Sequence, residues 1–330
     1  MTLDLTNEPV TDRLGAPYTA ETIPLAPDDE GDVVATLVKR PAEPSADGST
    51  DGSTTVKAVL HVHGFSDYFF QKEQAEWWSG RGYDFYALDL RKYGRSLRPH
   101  QTPNYVEDLT TYYEEIDEAW RLITERDGHT DMIVTAHSTG GLTMPLWAHD
   151  RQPKQLSGMV LNSPWLDLQG SPLLRVVGTP VLKQLGGRYP RFHIKRHVSG
   201  IYARSLHRDH EGEWDFELDL KPLTSFPVYA GWLKAIREGH ARLHDGLDVP
   251  APVLVLSSDQ THWTVHMTEE AHTSDLVLDV KQIRHWSTAV GTDVTYKAIA
   301  GARHDVLLSL PEVRATAYDV INRWLTAWVA

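Results

Sequence analysis

The chain has no cysteine. Disulfides, a thiolate nucleophile and cysteine-ligated zinc are therefore excluded, and cysteine usage says nothing about compartment. Basic residues are the next shortage: 32 Lys and Arg stand against 45 Asp and Glu, a formal net charge of -13. A nucleic-acid partner is not expected, because binding phosphates needs a surplus of cations on the contact face. A local basic run such as Arg188 to Arg196 is still able to meet an acidic group. Long apolar runs are missing too. No uninterrupted stretch approaches the roughly 20 residues that span a bilayer, so stable membrane insertion is not expected. The first residues, MTLDLTNEPVTD, carry acids where a secretory signal carries bases, and no apolar block follows. A cytoplasmic protein is the expectation.

What is present is a chain of 330 residues, 41% of them hydrophobic, enough for a sizeable core. After a proline-rich start, residues 33–38 read as an early strand and 41–55 (PAEPSADGSTDGSTT) as a mobile surface loop. An alternation follows. Strands are expected at 56–62, 83–90, 131–136, 156–162, 252–257 and 293–299, with helices at about 71–79, 106–125, 141–149, 279–289 and 311–329 between and after them. Strands that alternate with helices and are apolar on both faces imply an α/β fold with a mostly parallel sheet covered on both sides. The rhythm fails only between 165 and 249. An insertion there reads as a cap (lid) over the sheet's C-terminal edge, where open α/β sheets bind ligands. The expected division is a core of 1–164 and 250–330 with a cap of 165–249.

Chemistry is carried by the step from strand IVTA into the helix after Gly141, through Ala136-His-Ser-Thr-Gly140. This is the G-x-S-x-G nucleophile elbow with Ala136 in the first glycine position. The serine of such an elbow sits on a strained strand-to-helix turn, so the residues two before and two after it must be small where strand and helix nearly touch. The helix start also aims free N–H groups at a developing oxyanion. Ser138 is thus the candidate nucleophile.

A serine nucleophile needs a base and an acid, in the order Ser, acid, His for this arrangement. Of 17 histidines, His304 in GARHDV lies between the last expected strand and the C-terminal helix, which brings it to the same sheet edge. His137 neighbours the serine, but adjacent side chains diverge. The acid is either Asp259, directly after strand PVLVLS, or Asp275 in SDLVLD, beyond a polar excursion. Asp279 reads as a helix N-cap.

A metal reading starts from HVHGFSD. His61 and His63 are expected on one face of a strand end, but no His follows Asp67 as an H-x-H-x-D-H site requires, so a structural role near the oxyanion loop is favoured. No metal or cofactor is expected.

Four motifs in order, HGF at 63–65, DLRKYGRS at 89–96, HSTGG at 137–141 and GARH at 301–304, resemble the α/β-hydrolase superfamily, specifically the branch of monoacylglycerol lipases, lysophospholipases and serine aminopeptidase-like hydrolases. The resemblance covers roughly 30–165 and 250–330. Ala136 and Lys92 depart from its glycines. The family's late A-D-x-V-V-D segment matches SDLVLD, which implies Asp275 as the acid. The resemblance also implies backbone N–H donors from Phe65 and Thr139, with the Phe65 ring in the acyl pocket.

Together these imply a serine carboxylic-ester hydrolase acting on a small or medium monoester through Ser138, His304 and Asp275. Its partner would be a small-molecule ester, and the chain a monomer or homodimer. Trp165, Tyr189, Phe192, Trp214, Phe216, Phe226, Tyr229 and Trp232 are expected either to wall the pocket, Trp165 and Trp232 foremost, or to form the cap's own core. The alternative is an aminopeptidase-type amide hydrolase, with Glu211, Glu213, Asp215 or Glu217 anchoring a free amine. A non-catalytic binding protein is a further reading, disfavoured because every triad residue type is present in order.

Overall fold

The structure, a computed structural model, describes residues 9–44, 56–169, 184–195 and 198–329. Residues 45–55 of the expected loop, and Arg196 of the basic run, lie outside the described residues.

Among the described residues, nine strands form one sheet: β1 (Val10–Thr11), β2 (Thr19–Asp28), β3 (Gly31–Arg40), β4 (Lys57–Val62), β5 (Asp84–Asp89), β6 (Asp131–His137), β7 (Leu156–Asn162), β8 (Val253–Ser258) and β9 (Val294–Ile299). Their spatial order is β1-β2-β3-β5-β4-β6-β7-β8-β9. The first three strands and the β3–β5 pair are antiparallel, and every pair from β5–β4 to β8–β9 is parallel. This is the α/β fold expected, with a mostly parallel sheet.

The apolar runs in the central strands are explained by burial on both faces. In β4, Ala58, Leu60 and Val62 face one core while Val59 faces the other. The first core is closed by helices α2 (Tyr113–Arg121), α3 (Gly140–Arg151), α5 (Ala230–His244) and α6 (Val280–Trp286), and the second by α1 (Lys72–Ser79) and α7 (Pro311–Trp328). Helix α4 (Ile201–Leu206) lies with α5 in the connection between β7 and β8.

Two elements differ from expectation. Strand β2 was read only as a proline-rich start, yet it pairs with β3 with Pro24 opposite Val34. β1 reaches only Thr19 and Ala20, so beyond them β2 is an edge strand, where a proline without an N–H is tolerated. The helix expected over 106–125 is composite: a 3₁₀ turn at Leu109–Tyr112, α2, then a π turn at Leu122–Arg126. Asp279 caps α6 as expected, accepting from the Lys281 N–H.

Candidate active site

Because β4 to β9 run parallel, the segments that leave them share one edge of the sheet. The elbow shows why its residues are small. A Cβ on Gly140 would stand 2.5 Å from the His63 carbonyl oxygen and 2.6 Å from that of Val62, so α3 can start against the end of β4 only with glycine there. A Cβ on Gly64 would stand 2.9 Å from the Ser138 Cβ, which lets the loop after β4 lie directly over the serine. Ser138 itself has φ of 52°, the left-handed region that costs a non-glycine residue on the order of 1 to 3 kcal/mol unless its surroundings hold it. They do: its N–H donates to the Asn162 carbonyl at 3.1 Å and its carbonyl accepts from the Trp165 N–H at 2.9 Å.

His304 Nε2 lies 3.1 Å from Ser138 Oγ, and His304 Nδ1 lies 2.9 Å from Asp275 Oδ2. A carboxylate accepts, so Nδ1 carries the imidazole proton and Nε2 is free to accept from the serine hydroxyl. The other oxygen of Asp275 accepts from the Val277 and Leu278 N–H groups at 2.7 and 2.8 Å. All three side chains are buried. Asp259 is elsewhere: exposed, it accepts from the Gly301 N–H at 3.0 Å. Asp275 reaches the histidine although far from β8 in sequence because the excursion folds back on itself. A bridge pairs Thr261 with Asp275, and the Thr261 hydroxyl donates to the Leu278 carbonyl and accepts from the Val280 N–H.

The histidines of HVHGFSD are both occupied, but not on one face. His61 packs between Phe69 and Phe85, whereas His63 packs on Tyr93 in the opposite core, because β4 ends at Val62 and the chain turns. His63 Nδ1 donates to the Gly64 carbonyl at 2.8 Å and its Nε2 accepts from the Leu90 N–H at 3.1 Å. His61 Nδ1 sits 3.0 Å from the Thr135 hydroxyl. Burial lowers both pKa values, that of His61 to about 4. Among the described residues no group of three or more His, Asp or Glu has a metal-holding arrangement.

A cavity of about 710 Å³ opens above Ser138. Phe65, Trp165 and Trp232 all line it, and the Phe65 and Trp232 rings lie 4.3 Å apart. The other six aromatic residues named from the sequence do not: Phe216 packs with Phe70 in a small separate cluster, and Tyr189 and Phe192 are exposed. The rest of the wall is largely aliphatic, including Ile194, Ile201, Leu223 and Val277.

A family model described as Hydrolase_4, serine aminopeptidase S33, matches residues 53–310. The chain belongs to the Hydrolase_4 family. It is a hydrolase of the α/β-hydrolase type, as its motifs implied. Phospholipase YtpA of Bacillus subtilis is 29% identical over 115 residues, 34% of this chain and 42% of that protein, so the match spans less than half of the relative. A soluble variant of monoglyceride lipase from Saccharomyces cerevisiae, solved with a substrate analogue, is similar with a TM-score of 0.66 at 17% identity over 93% of this chain and 95% of that one. The monoacylglycerol lipase of Paleococcus ferrophilus gives 0.62 at 19% over 88% and 98%. A thermostable carboxyl esterase from Bacillus coagulans gives 0.63 at 14% over 94% and 99%.

Of the two departures of this Hydrolase_4 chain from the glycines its motifs resemble, one has a visible solution. Lys92 has φ of 62°, the conformation that favours glycine, and is held by pairing of its Nζ with Asp28 and Glu30 at 2.6 and 2.5 Å. Ala136 is buried in the core.

Sequence reasoning missed three side chains around the serine. Asn162 donates to Asp305 at 2.6 Å and accepts from the Val306 N–H at 3.0 Å, tying the His304 loop to β7. Its position at the end of an apolar strand run was the available signal. Tyr202 lies edge-on to His304 and its hydroxyl accepts from the Asp305 N–H. Lys221 lines the cavity and pairs with buried Asp67 at 2.7 Å, whose second oxygen lies 3.3 Å from His137 Nδ1. Burial alone would raise the Asp67 carboxyl, but Lys221 and His137 outweigh it and hold it well below the usual carboxylate range.

Proposed function

We propose that the chain is a serine carboxylic-ester hydrolase for a monoester with a small or medium acyl or aryl group. The observation that carries this reading is the unbroken Ser138–His304–Asp275 hydrogen-bond chain at the floor of a mostly apolar cavity. Ser138 Oγ attacks the ester carbonyl while His304 Nε2 takes its proton and returns it to the leaving alcohol. Asp275 fixes the tautomer and stabilises the imidazolium. The Phe65 and Thr139 N–H groups receive the oxyanion. Water, activated by the same histidine, then releases the acid from the acyl-enzyme. Residues 165–249 serve as the cap that roofs the cavity over a core of 1–164 and 250–330. A cavity of this size is in the range that takes a drug-sized ligand. The lipase, esterase and phospholipase names of its relatives agree with ester chemistry.

The aminopeptidase reading lacks its anchor. Glu211, Glu213, Asp215 and Glu217 pair with Arg204, Arg314, Arg208 and Arg13 respectively, and no Asp or Glu is among the described residues lining the cavity. A panel of p-nitrophenyl esters from butyrate to decanoate, run beside aminoacyl p-nitroanilides, tests this. Ester turnover that is lost in Ser138→Ala is expected; faster cleavage of the aminoacyl amides would contradict it.

A further inference from the structure

Helix α5 lies outside the triad, yet it reaches the nucleophile's backbone through a single residue. Trp165 gives its N–H to the Ser138 carbonyl at 2.9 Å, and His240 Nε2 lies 2.8 Å from the Trp165 carbonyl. The tautomer of His240 follows from its other nitrogen, 3.1 Å from Arg237 Nη1. A guanidinium only donates, so Nδ1 accepts and the proton resides on Nε2, which donates to Trp165. Arg237 is fixed in turn by Asp167 at 2.7 Å. The His240 ring is fully buried and stands edge-on to the Trp165 ring at 5.5 Å. Burial, then the charge of Arg237, keep it neutral by lowering its pKa.

The helix that carries His240 is firmly seated. A Cβ on Gly239 would stand 2.7 Å from a methyl of Leu109 and 3.3 Å from methyls of Leu142 and Leu146, so glycine lets α5 lie close against the 3₁₀ turn at Leu109–Tyr112 and against α3. Helix α3 begins directly after Thr139, its N-cap. A peptide bond is planar, so the direction of the Ser138 carbonyl dictates the opposite direction of the Thr139 N–H. Whatever holds the first aims the second.

We propose that His240 is a positioning residue: its Nε2–H holds the Trp165 carbonyl, Trp165 holds the Ser138 carbonyl, and the planar Ser138–Thr139 peptide then points the Thr139 N–H at the oxyanion. This rests on the ester-hydrolase reading above, in which that N–H is a donor to the transition state. Loss of an interaction made only in the transition state lowers kcat and kcat/KM together.

The test compares His240→Ala, His240→Gln and Ser138→Ala with the unaltered chain on p-nitrophenyl butyrate, with thermal melting to confirm folding. The expected result for the alanine variant is a roughly tenfold lower kcat with KM nearly unchanged, a fraction of the 10²–10³ lost when an oxyanion donor is removed outright. Glutamine, whose amide N–H reaches the same carbonyl, restores most of it. Full kcat in folded His240→Ala, equal losses in both variants, or a change confined to KM overturns the proposal. If the alanine variant does not fold, His240→Gln against the shorter His240→Asn makes the same comparison, and equal rates overturn it. Turnover surviving in Ser138→Ala overturns the ester-hydrolase reading and the positioning role with it, whereas its loss beside a full rate in folded His240→Ala overturns the positioning role alone.

Discussion

The C-terminal edge of the sheet and the connection between β7 and β8 meet over the same serine but are built by different means. At the edge, backbone sterics fix position: Gly64 and Gly140 sit where no Cβ fits, and Ser138 occupies a left-handed turn. In the connection, position depends on side-chain partners distant in sequence, such as Lys221 with Asp67, His240 with Trp165, and Trp232 with Phe65. Steric rules restrict which residues can stand at a given spacing, so they leave motifs. Paired side chains need only a partner somewhere in the chain, and they leave none.

The sharpest way to break this contrast is at the two acids near β8. Asp275→Asn is expected to lower kcat roughly 10⁴-fold by favouring the wrong histidine tautomer, as in other serine hydrolases. Asp259→Asn, which alters only an exposed bond to the Gly301 N–H, should stay within a few-fold. Equal effects on ester turnover would contradict the geometry.

Next in size is Lys221→Met, which leaves Asp67 buried without its cation. Breaking a buried pair from one side costs about 3 to 5 kcal/mol, whereas removing both charges is far milder. Urea unfolding should therefore show a large loss in Lys221→Met and substantial recovery in the Asp67→Asn/Lys221→Met double variant. A single variant as stable as the unaltered chain would mean the connection is not tied to the core there.

Acid stability gives a further test, on the edge side. The folded chain keeps His61 neutral down to about pH 4, while the unfolded chain takes up its proton near the ordinary value of 6.5. Between those values the unfolded state binds more protons, so stability falls as pH falls from about 6.5 to 4, and below that this group takes nothing more away. At 1.36 kcal/mol per unit, His61 alone accounts for about 3 kcal/mol. His63, whose pKa is lowered too, acts in the same direction. Thermal melts of His61→Gln should show a shallower decline across that window than the unaltered chain; parallel declines would contradict the assignment.

The smallest effects belong to the acidic stretch in the connection. Glu211→Gln and Glu213→Gln remove partly exposed pairs with Arg204 and Arg314, which solvent screens so that each contributes little. Ester turnover should be unchanged. A strong rise in KM for aminoacyl amides would instead revive the amine-anchor reading.

The same contrast explains what was legible in the sequence. The parallel strands were visible because burial on both faces demands apolar runs, and the elbow because its small residues, Ala136 and Gly140, are spaced by contact. β2 was hidden by Pro24, which only its edge position tolerates. Asp275 could not be separated from Asp259 by the residues alone, since the bridge of Thr261 to Asp275 that closes the excursion is a tertiary event. The opposed packing of His61 and His63 was missed because the turn after Val62 falls between them.

The central claim, that Ser138 is activated by His304 and Asp275 to attack an ester, is tested most directly by labelling with a fluorophosphonate followed by peptide mass mapping. A single adduct on Ser138, abolishing ester turnover and absent from Ser138→Ala, is the predicted result. An adduct on another serine, or turnover that survives complete labelling of Ser138, would contradict it.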